Sequence, residues 1–167
     1  KGKRVLVRVD FNVPIGDDAT VNHDEAWRIE AAQSTIQFLQ ERGAKVILLS
    51  HLGRDPQESL QPIATYWNNT LSGSLGFVPA VTGPLVHEAI EHMAHGSVIL
   101  LENVRSDARE KENSLAFAEE IAKNADFYVN EAFSASHRAH TSIVQLPKLL
   151  PSYAGFQFVE EVAHLHK

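Results

Sequence analysis

Short apolar runs alternate along this chain with longer stretches in which apolar positions recur every three to four residues. The short runs are Val5–Val9, Lys45–Leu49, Phe77-Val78, Val98–Leu101 and Phe127-Tyr128-Val129. Val46-Ile47-Leu48-Leu49 has no polar side to turn toward water, which predicts a strand covered on both faces. From Asp24 onward, Trp27, Ile29, Ala31, Ala32, Thr35, Ile36 and Leu39 keep a spacing near 3.6 and predict one helix. Gly43 stops it, with Arg42 in its last turn. Further helices are predicted through Ile63–Leu71, through Leu85–Ala94 with entry at Gly83-Pro84, and from a cap at Asn113-Ser114 to Lys123. Ile15–Asn22 is polar and turn-forming. Pro147, Pro151 and Gly155 precede an amphipathic Phe156–Leu165 pattern, so the last stretch reads as a connection leading onward.

Strand and helix in alternation predict an α/β fold. The expected architecture is a three-layer Rossmann-like domain: a mostly parallel sheet of about six strands with helices on both faces. Residues 1–155 form the domain and 156–167 begin the connection. The chain has 167 residues, about one domain's worth. Hydrophobic residues are 44% and charged residues 22%, which excludes disorder and fibrous repeats. The absence of cysteine excludes a disulfide framework, a thiol nucleophile and a thiolate metal site, and fits a reducing compartment. A net charge of −6 argues against duplex binding. No apolar run approaches the ~20 residues of a membrane span. Lys1-Gly2-Lys3-Arg4 is basic, but the apolar run behind it is broken by Arg8 and Asp10 and does not make a signal peptide. The first residue is not Met. The expectation is a cytoplasmic protein, or a piece of one that starts inside its gene.

Ligands of open α/β sheets bind beyond the carboxyl ends of the strands. The first strand delivers Asp10, Phe11 and Asn12 there, and the second His51, Leu52, Gly53 and Arg54. A later strand delivers Glu102, Asn103 and Arg105, and the last delivers Asn130 followed by His137, Arg138 and His140. Arg28 lies near the start of the helix after the first strand. Guanidinium groups are rigid forks of donors that match carboxylate and phosphate oxygens. Arg28, Arg54, Arg105 and Arg138 would repel one another without a partner, so their convergence predicts a small anion carrying both phosphate and carboxylate. The G-x-x-x-x-G-K-[ST] and G-x-G-x-x-G patterns are absent, so side chains rather than a glycine cradle must hold this anion, and any nucleotide must be held elsewhere. His137 and His140 have a spacing open to a metal pair, although Arg138 lies between them and no carboxylate in that segment completes a shell. His164 and His166 are expected to be solvated.

The segments Lys1–Pro14, Arg28-Ile29, Ser50–Arg54, Leu100–Arg105 and Tyr128–His140 together resemble the N-terminal domain of the phosphoglycerate kinase family, in the family's order over nearly the whole chain. The resemblance implies an ATP-dependent phosphotransferase with a carboxyl acceptor. It would move a phosphoryl group between 1,3-bisphosphoglycerate and ADP, giving 3-phosphoglycerate and ATP. Asp10, Phe11 and Asn12 would meet the glycerate end. His51, Leu52, Gly53, Arg54, Arg105 and Arg138 would hold the substrate phosphate. Arg28 would face the carboxyl end as the catalytic charge. Mg-ATP or Mg-ADP would bind a C-terminal domain that these residues do not include, with no cofactor or metal in this chain. The partners implied are the small-molecule substrate and that second domain, with neither nucleic acid nor membrane; a monomer, inactive as an isolated half, is expected. Ser106, Glu131 and Ser134 stand where the family usually has Phe, Asp and Gly. Two other readings stay open: a non-catalytic phosphoanion-binding module, and a metal-dependent hydrolase using His51, His137 and His140.

Overall fold

A computed structural model describes residues 1–165. The alternating segments form six parallel strands: β1 (Arg4–Arg8), β2 (Lys45–Leu49), β3 (Leu75–Val78), β4 (Val98–Leu101), β5 (Phe127–Asn130) and β6 (Ser152–Ala154). Their spatial order is β3-β4-β2-β1-β5-β6. The helices are α1 (Trp27–Ala31), α2 (Gln33–Glu41), α3 (Gln61–Thr70), α4 (Pro84–Glu91), α5 (Leu115–Ala122), α6 (Thr141–Val144), α7 (Leu146–Leu149) and α8 (Phe156–Leu165). This is the expected three-layer α/β domain.

The reason lies in the alternation of each strand. Val5, Val7, Val46, Leu48, Val98 and Leu100 share one buried cluster with Ile29, Ile36 and the α3 residues Ile63, Ala64 and Trp67. Leu6, Ile47, Leu49, Ile99 and Leu101 share a second with Val86 and Ile90 of α4, Phe117 and Ile121 of α5, and Leu146 of α7. Successive side chains point to opposite faces. A strand that is apolar at every position therefore requires helices on both sides.

The first helix departs from expectation. A 3₁₀ turn at His23–Glu25, then α1 and α2, replace a single helix, with the joint at Ala32. Its φ of −80° and ψ of −10° remain right-handed. The hydrogen-bonding pattern thus changes while the apolar period continues, and neither Gly nor Pro marks the place. Strand β6 lies at the end of the expected domain, where the sequence names no strand, parallel to β5 and exposed at the sheet edge. Three exposed residues between Pro151 and Gly155 carry no readable period. The Ser114 cap is as expected: its hydroxyl accepts from the Phe117 N–H at 3.3 Å.

The span 156–167 was expected to be a connection, and its described part is α8. Phe156 stacks edge-on against Phe38 at 5.1 Å and Phe158 against Phe133 at 5.4 Å, so this helix starts docked on the domain. His164 is exposed; His166 and Lys167 lie outside the described residues. Among the described residues, no helix is long and apolar enough to cross a membrane.

Leu48 lies in β2 between β1 and β4 and is fully buried. Leu48→Ala is expected to lower unfolding free energy by roughly 2–5 kcal/mol, read by urea denaturation, because the emptied volume cannot collapse inside a two-sided sheet.

Candidate anion-binding site

Every strand runs the same way, so the segments that follow β1, β2, β4 and β5 emerge at one edge. The chain leaves β1 for β2 through α1 and α2 on one face. It reaches β5, on the other side of β1, through α5 on the opposite face. That reversal opens the crevice expected of such sheets.

Backbone and amide groups fasten the loops to one another. The Ser50 hydroxyl accepts from the Phe11 N–H at 2.9 Å, and the Ser50 carbonyl accepts from the Val104 N–H at 3.0 Å. Asn103 is buried. Its Oδ1 accepts from the N–H groups of Leu52 and Arg105, both at 3.1 Å, and its amide donates to the carbonyls of Leu52 at 3.0 Å and Glu58 at 2.9 Å. The Gly53 N–H donates to Asn12 Oδ1 at 2.8 Å, and the Gly53 carbonyl accepts from Arg105. Gly53 sits at φ +54°, where any Cβ would also overlap the Glu58 carboxylate. Of the residues named from sequence, Phe11 (0% exposed) points into the core beside Trp67, and the Leu52 side chain is buried as well. These two shape the loops and present no side chain to a ligand. Asn12 is exposed at the rim.

Behind the rim lies a cluster of positive charge. Arg105 (6% exposed) has a buried Nε–H with no hydrogen-bond partner among the described residues. Burial, then Arg138 and Arg8, pull its pKa below the usual guanidinium value, while Glu110 and Asp10 oppose the shift. His51 (3% exposed) has its pKa pushed down to about 2, first by burial and then by Arg8, Arg105, Arg138 and His140. His140 is lowered by burial and by Arg105, Arg138 and Arg8. The structure therefore brings together Arg105, Arg138, His51 and His140. It adds Arg8, buried at the last position of β1 (1% exposed) and placed in the sequence reading only as a charge that interrupts an apolar run. That interruption was the available signal, because a charge at the end of a strand buried on both faces must be met by specific partners.

Arg8 has such partners. Its Nε–H donates to Ser142 Oγ at 2.9 Å, Nη1 donates to the Val9 carbonyl, and Nη2 meets His51 Nδ1 at 3.0 Å. Arginine can only donate, so His51 Nδ1 accepts and the ring proton sits on Nε2. The cluster thus presents the neutral imidazole as a hydrogen-bond donor.

Arg28 and Arg54 lie apart from these close contacts. Arg28 pairs with Asp10 at 3.5 Å and Glu25 at 3.2 Å, with its guanidinium 4.7 Å from the centre of the Trp27 ring. Asp10 also accepts from the Ser134 hydroxyl and lies 3.9 Å from His51 Nδ1. Arg54 is exposed on the loop after β2, and His137 is exposed beyond β5. Among the described residues, no three His, Asp or Glu side chains converge to hold a metal ion, so His51, His137 and His140 do not form a shell.

Glu131, just past β5, lines a small cavity with Asp10 and Arg28, but its hydrogen bonds go elsewhere. Its Oε1 accepts from the Thr35 hydroxyl at 2.7 Å and from the Gln157 N–H at 3.2 Å, and Thr35 Oγ1 accepts from the Phe156 N–H at 2.9 Å. Burial raises its pKa against these hydrogen bonds. This carboxylate seats the first turn of α8.

The phosphoglycerate kinase family model matches residues 1–167. A phosphoglycerate kinase of Herpetosiphon aurantiacus is 46% identical over 171 residues, covering 99% of this chain and 43% of that protein. One of Pseudothermotoga lettingae is 47% identical over 170 residues, covering 99% of this chain and 42% of that protein. The crystal structure of phosphoglycerate kinase from Pyrococcus horikoshii superposes with a TM-score of 0.89 at 28% identity, over 99% of this chain and 42% of that one. The structure of phosphoglycerate kinase from Coxiella burnetii gives 0.84 at 32% identity, with the same shares. The chain thus spans less than half the length of these curated relatives and matches their N-terminal part.

The neutral state of His51 has a consequence for stability. The unfolded chain binds a proton at this ring below about pH 6.5, and the folded chain binds it only near pH 2. Stability must fall as pH drops below 6.5, by up to about 1.4 kcal/mol per pH unit from this group. Denaturant unfolding between pH 6.5 and 5 is expected to show a shallower pH slope in His51→Asn than in the parent protein. Equal slopes would contradict the assignment.

Proposed function

The chain belongs to the phosphoglycerate kinase family, and on that premise we propose that it is the phosphoglycerate-binding half of an enzyme transferring a phosphoryl group between 1,3-bisphosphoglycerate and ADP. The observation that carries this reading is the buried, unpartnered Nε–H of Arg105 inside a cluster with Arg8, Arg138, His51 and His140. Donors of this kind, crowded and underbonded, favour a dianionic phosphate. Arg105, Arg138 and the His51 Nε2–H bind that phosphate from within, and Arg54 closes on it from the exposed loop. Asp10 and Asn12 meet the glycerate hydroxyl and backbone, flanked by Phe11, Leu52 and Gly53.

The nucleophile in the ATP-consuming direction is the substrate's carboxylate, ionised at neutral pH, so no general base is required. The barrier is repulsion between two anions, which placed positive charge lowers. Arg28 supplies that charge at the rim, held between Asp10, Glu25 and the Trp27 ring. Mg-ATP or Mg-ADP, bound by a C-terminal domain like that of the longer relatives, would donate or accept the phosphoryl group. This chain's strand-to-helix turns lack a glycine-rich phosphate loop for it. A monomeric, cytoplasmic enzyme completes the reading; the absence of cysteine fits a reducing compartment.

Calorimetric titration of this chain with 3-phosphoglycerate at low salt should give heat that weakens as salt rises. Silence with 3-phosphoglycerate beside clear heat with a different anion would remove the substrate assignment. Arg105→Ala and Arg138→Ala should each weaken binding by roughly 10–100-fold, the scale of a lost charge-assisted contact. In the two-domain enzyme, Arg28→Ala should lower kcat more than it weakens binding, the pattern of a group acting on the transition state.

A further inference from the structure

Glu110 and Ser142 have no part in binding as described above, yet both are completely buried directly behind the cluster. Glu110 ends a 3₁₀ turn (Ala108–Glu110) between β4 and α5, and Ser142 is the second residue of α6, 32 residues later. The carboxylate takes both donors of Ser142: Oε2 accepts the N–H at 2.9 Å and Oε1 accepts the hydroxyl at 2.6 Å. A serine hydroxyl has one proton. With that proton committed to Glu110, Oγ can face Arg8 only as an acceptor, and it does so from Nε at 2.9 Å. The same guanidinium then donates to His51 Nδ1 at 3.0 Å. His140 Nδ1 stands 3.9 Å from Glu110 Oε1, so one buried anion also lies beneath the loop that carries Arg138.

These contacts form a directed chain. Glu110 orients Ser142, Ser142 orients Arg8, and Arg8 fixes both the ring and the tautomer of His51. We propose that Glu110 and Ser142 are positioning residues for anion binding, acting through Arg8 to hold His51 as an Nε2–H donor toward the ligand phosphate. This rests on reading the cluster as a phosphate site. A purely structural role, in which Glu110 only ties the 3₁₀ turn to α6, predicts different coupling. A strap of that kind would affect affinity whatever residue stood at 51, whereas a relay matters only while His51 is there to be positioned.

A double-mutant cycle separates the two. Ser142→Ala removes the acceptor of Arg8 Nε. Glu110→Gln keeps the shape, removes the charge, and serves if the alanine variant does not fold. His51→Asn keeps an acceptor for Arg8 and removes the distal donor. In the parent background Ser142→Ala should weaken binding of 3-phosphoglycerate about tenfold, the scale of one hydrogen bond, and Glu110→Gln should weaken it severalfold. With His51→Asn present, neither change should weaken binding by more than about twofold. Penalties that persist undiminished beside His51→Asn, or no penalty in the parent background, would overturn the relay. Inorganic phosphate is titrated in parallel. A parent protein that binds phosphate and not 3-phosphoglycerate would overturn the substrate assignment alone, and the cycle is then read with phosphate.

Discussion

Parallel pairing throughout the sheet is the constraint on which the site depends. Strands that run the same way deliver all their following loops to one edge, so residues more than a hundred positions apart meet without any long excursion of the chain. Arg8 closes β1, Arg105 follows β4, and Arg138 follows β5. The two apolar faces that force helices onto both sides of the sheet also give this edge a dry floor, where hydrogen bonds to charged groups gain strength.

That floor sets the electrostatics. Burial would expel a further positive charge beside Arg8 and Arg105, and the protein resolves the conflict by keeping His51 neutral. Neutrality alone would leave the imidazole free to turn, with either nitrogen available as an acceptor. The donor from Arg8 removes that freedom, because a guanidinium cannot accept. Glu110 then balances part of the charge from behind, where it does not compete for the ligand's place. Arg28 is organised differently. Its two carboxylates and the Trp27 ring hold it at the surface, outside the dry region.

The opposite flank of the same loop is built for a different purpose. Glu131, one residue past β5, turns toward Thr35 and the first turn of α8, while Asn130 uses Oδ1 to accept from the Ala132 N–H and its amide to reach Ser136. One short segment therefore shapes the approach to Arg138 and seats the first turn of α8. A Cβ at Gly155 would overlap the Glu131 carboxylate, which explains why the chain passes from β6 to α8 through glycine.

The layered α/β architecture was legible from residue order, because burial on both faces leaves an unbroken apolar run such as Val46–Leu49, and helical period is a local property. The edge that gathers Asp10, His51, Arg105 and Arg138 was legible for the same reason: strand ends can be found one at a time. The break at Ala32 and strand β6 were not, since a change in hydrogen bonding at constant residue type and a three-residue exposed strand leave no periodic trace. Nor could sequence separate Phe11 and Leu52, whose side chains belong to the core, from neighbours that face the crevice. Which arginines stand close together was likewise decided by tertiary structure alone. Arg8 joined the inner cluster because Ser142, and Glu110 behind it, come from segments more than a hundred residues downstream, whereas Arg28 paired at the rim with the nearby Asp10 and Glu25. Local order along a chain specifies what each strand end offers, whereas the orientation of a buried charge depends on groups that only folding brings within hydrogen-bond reach.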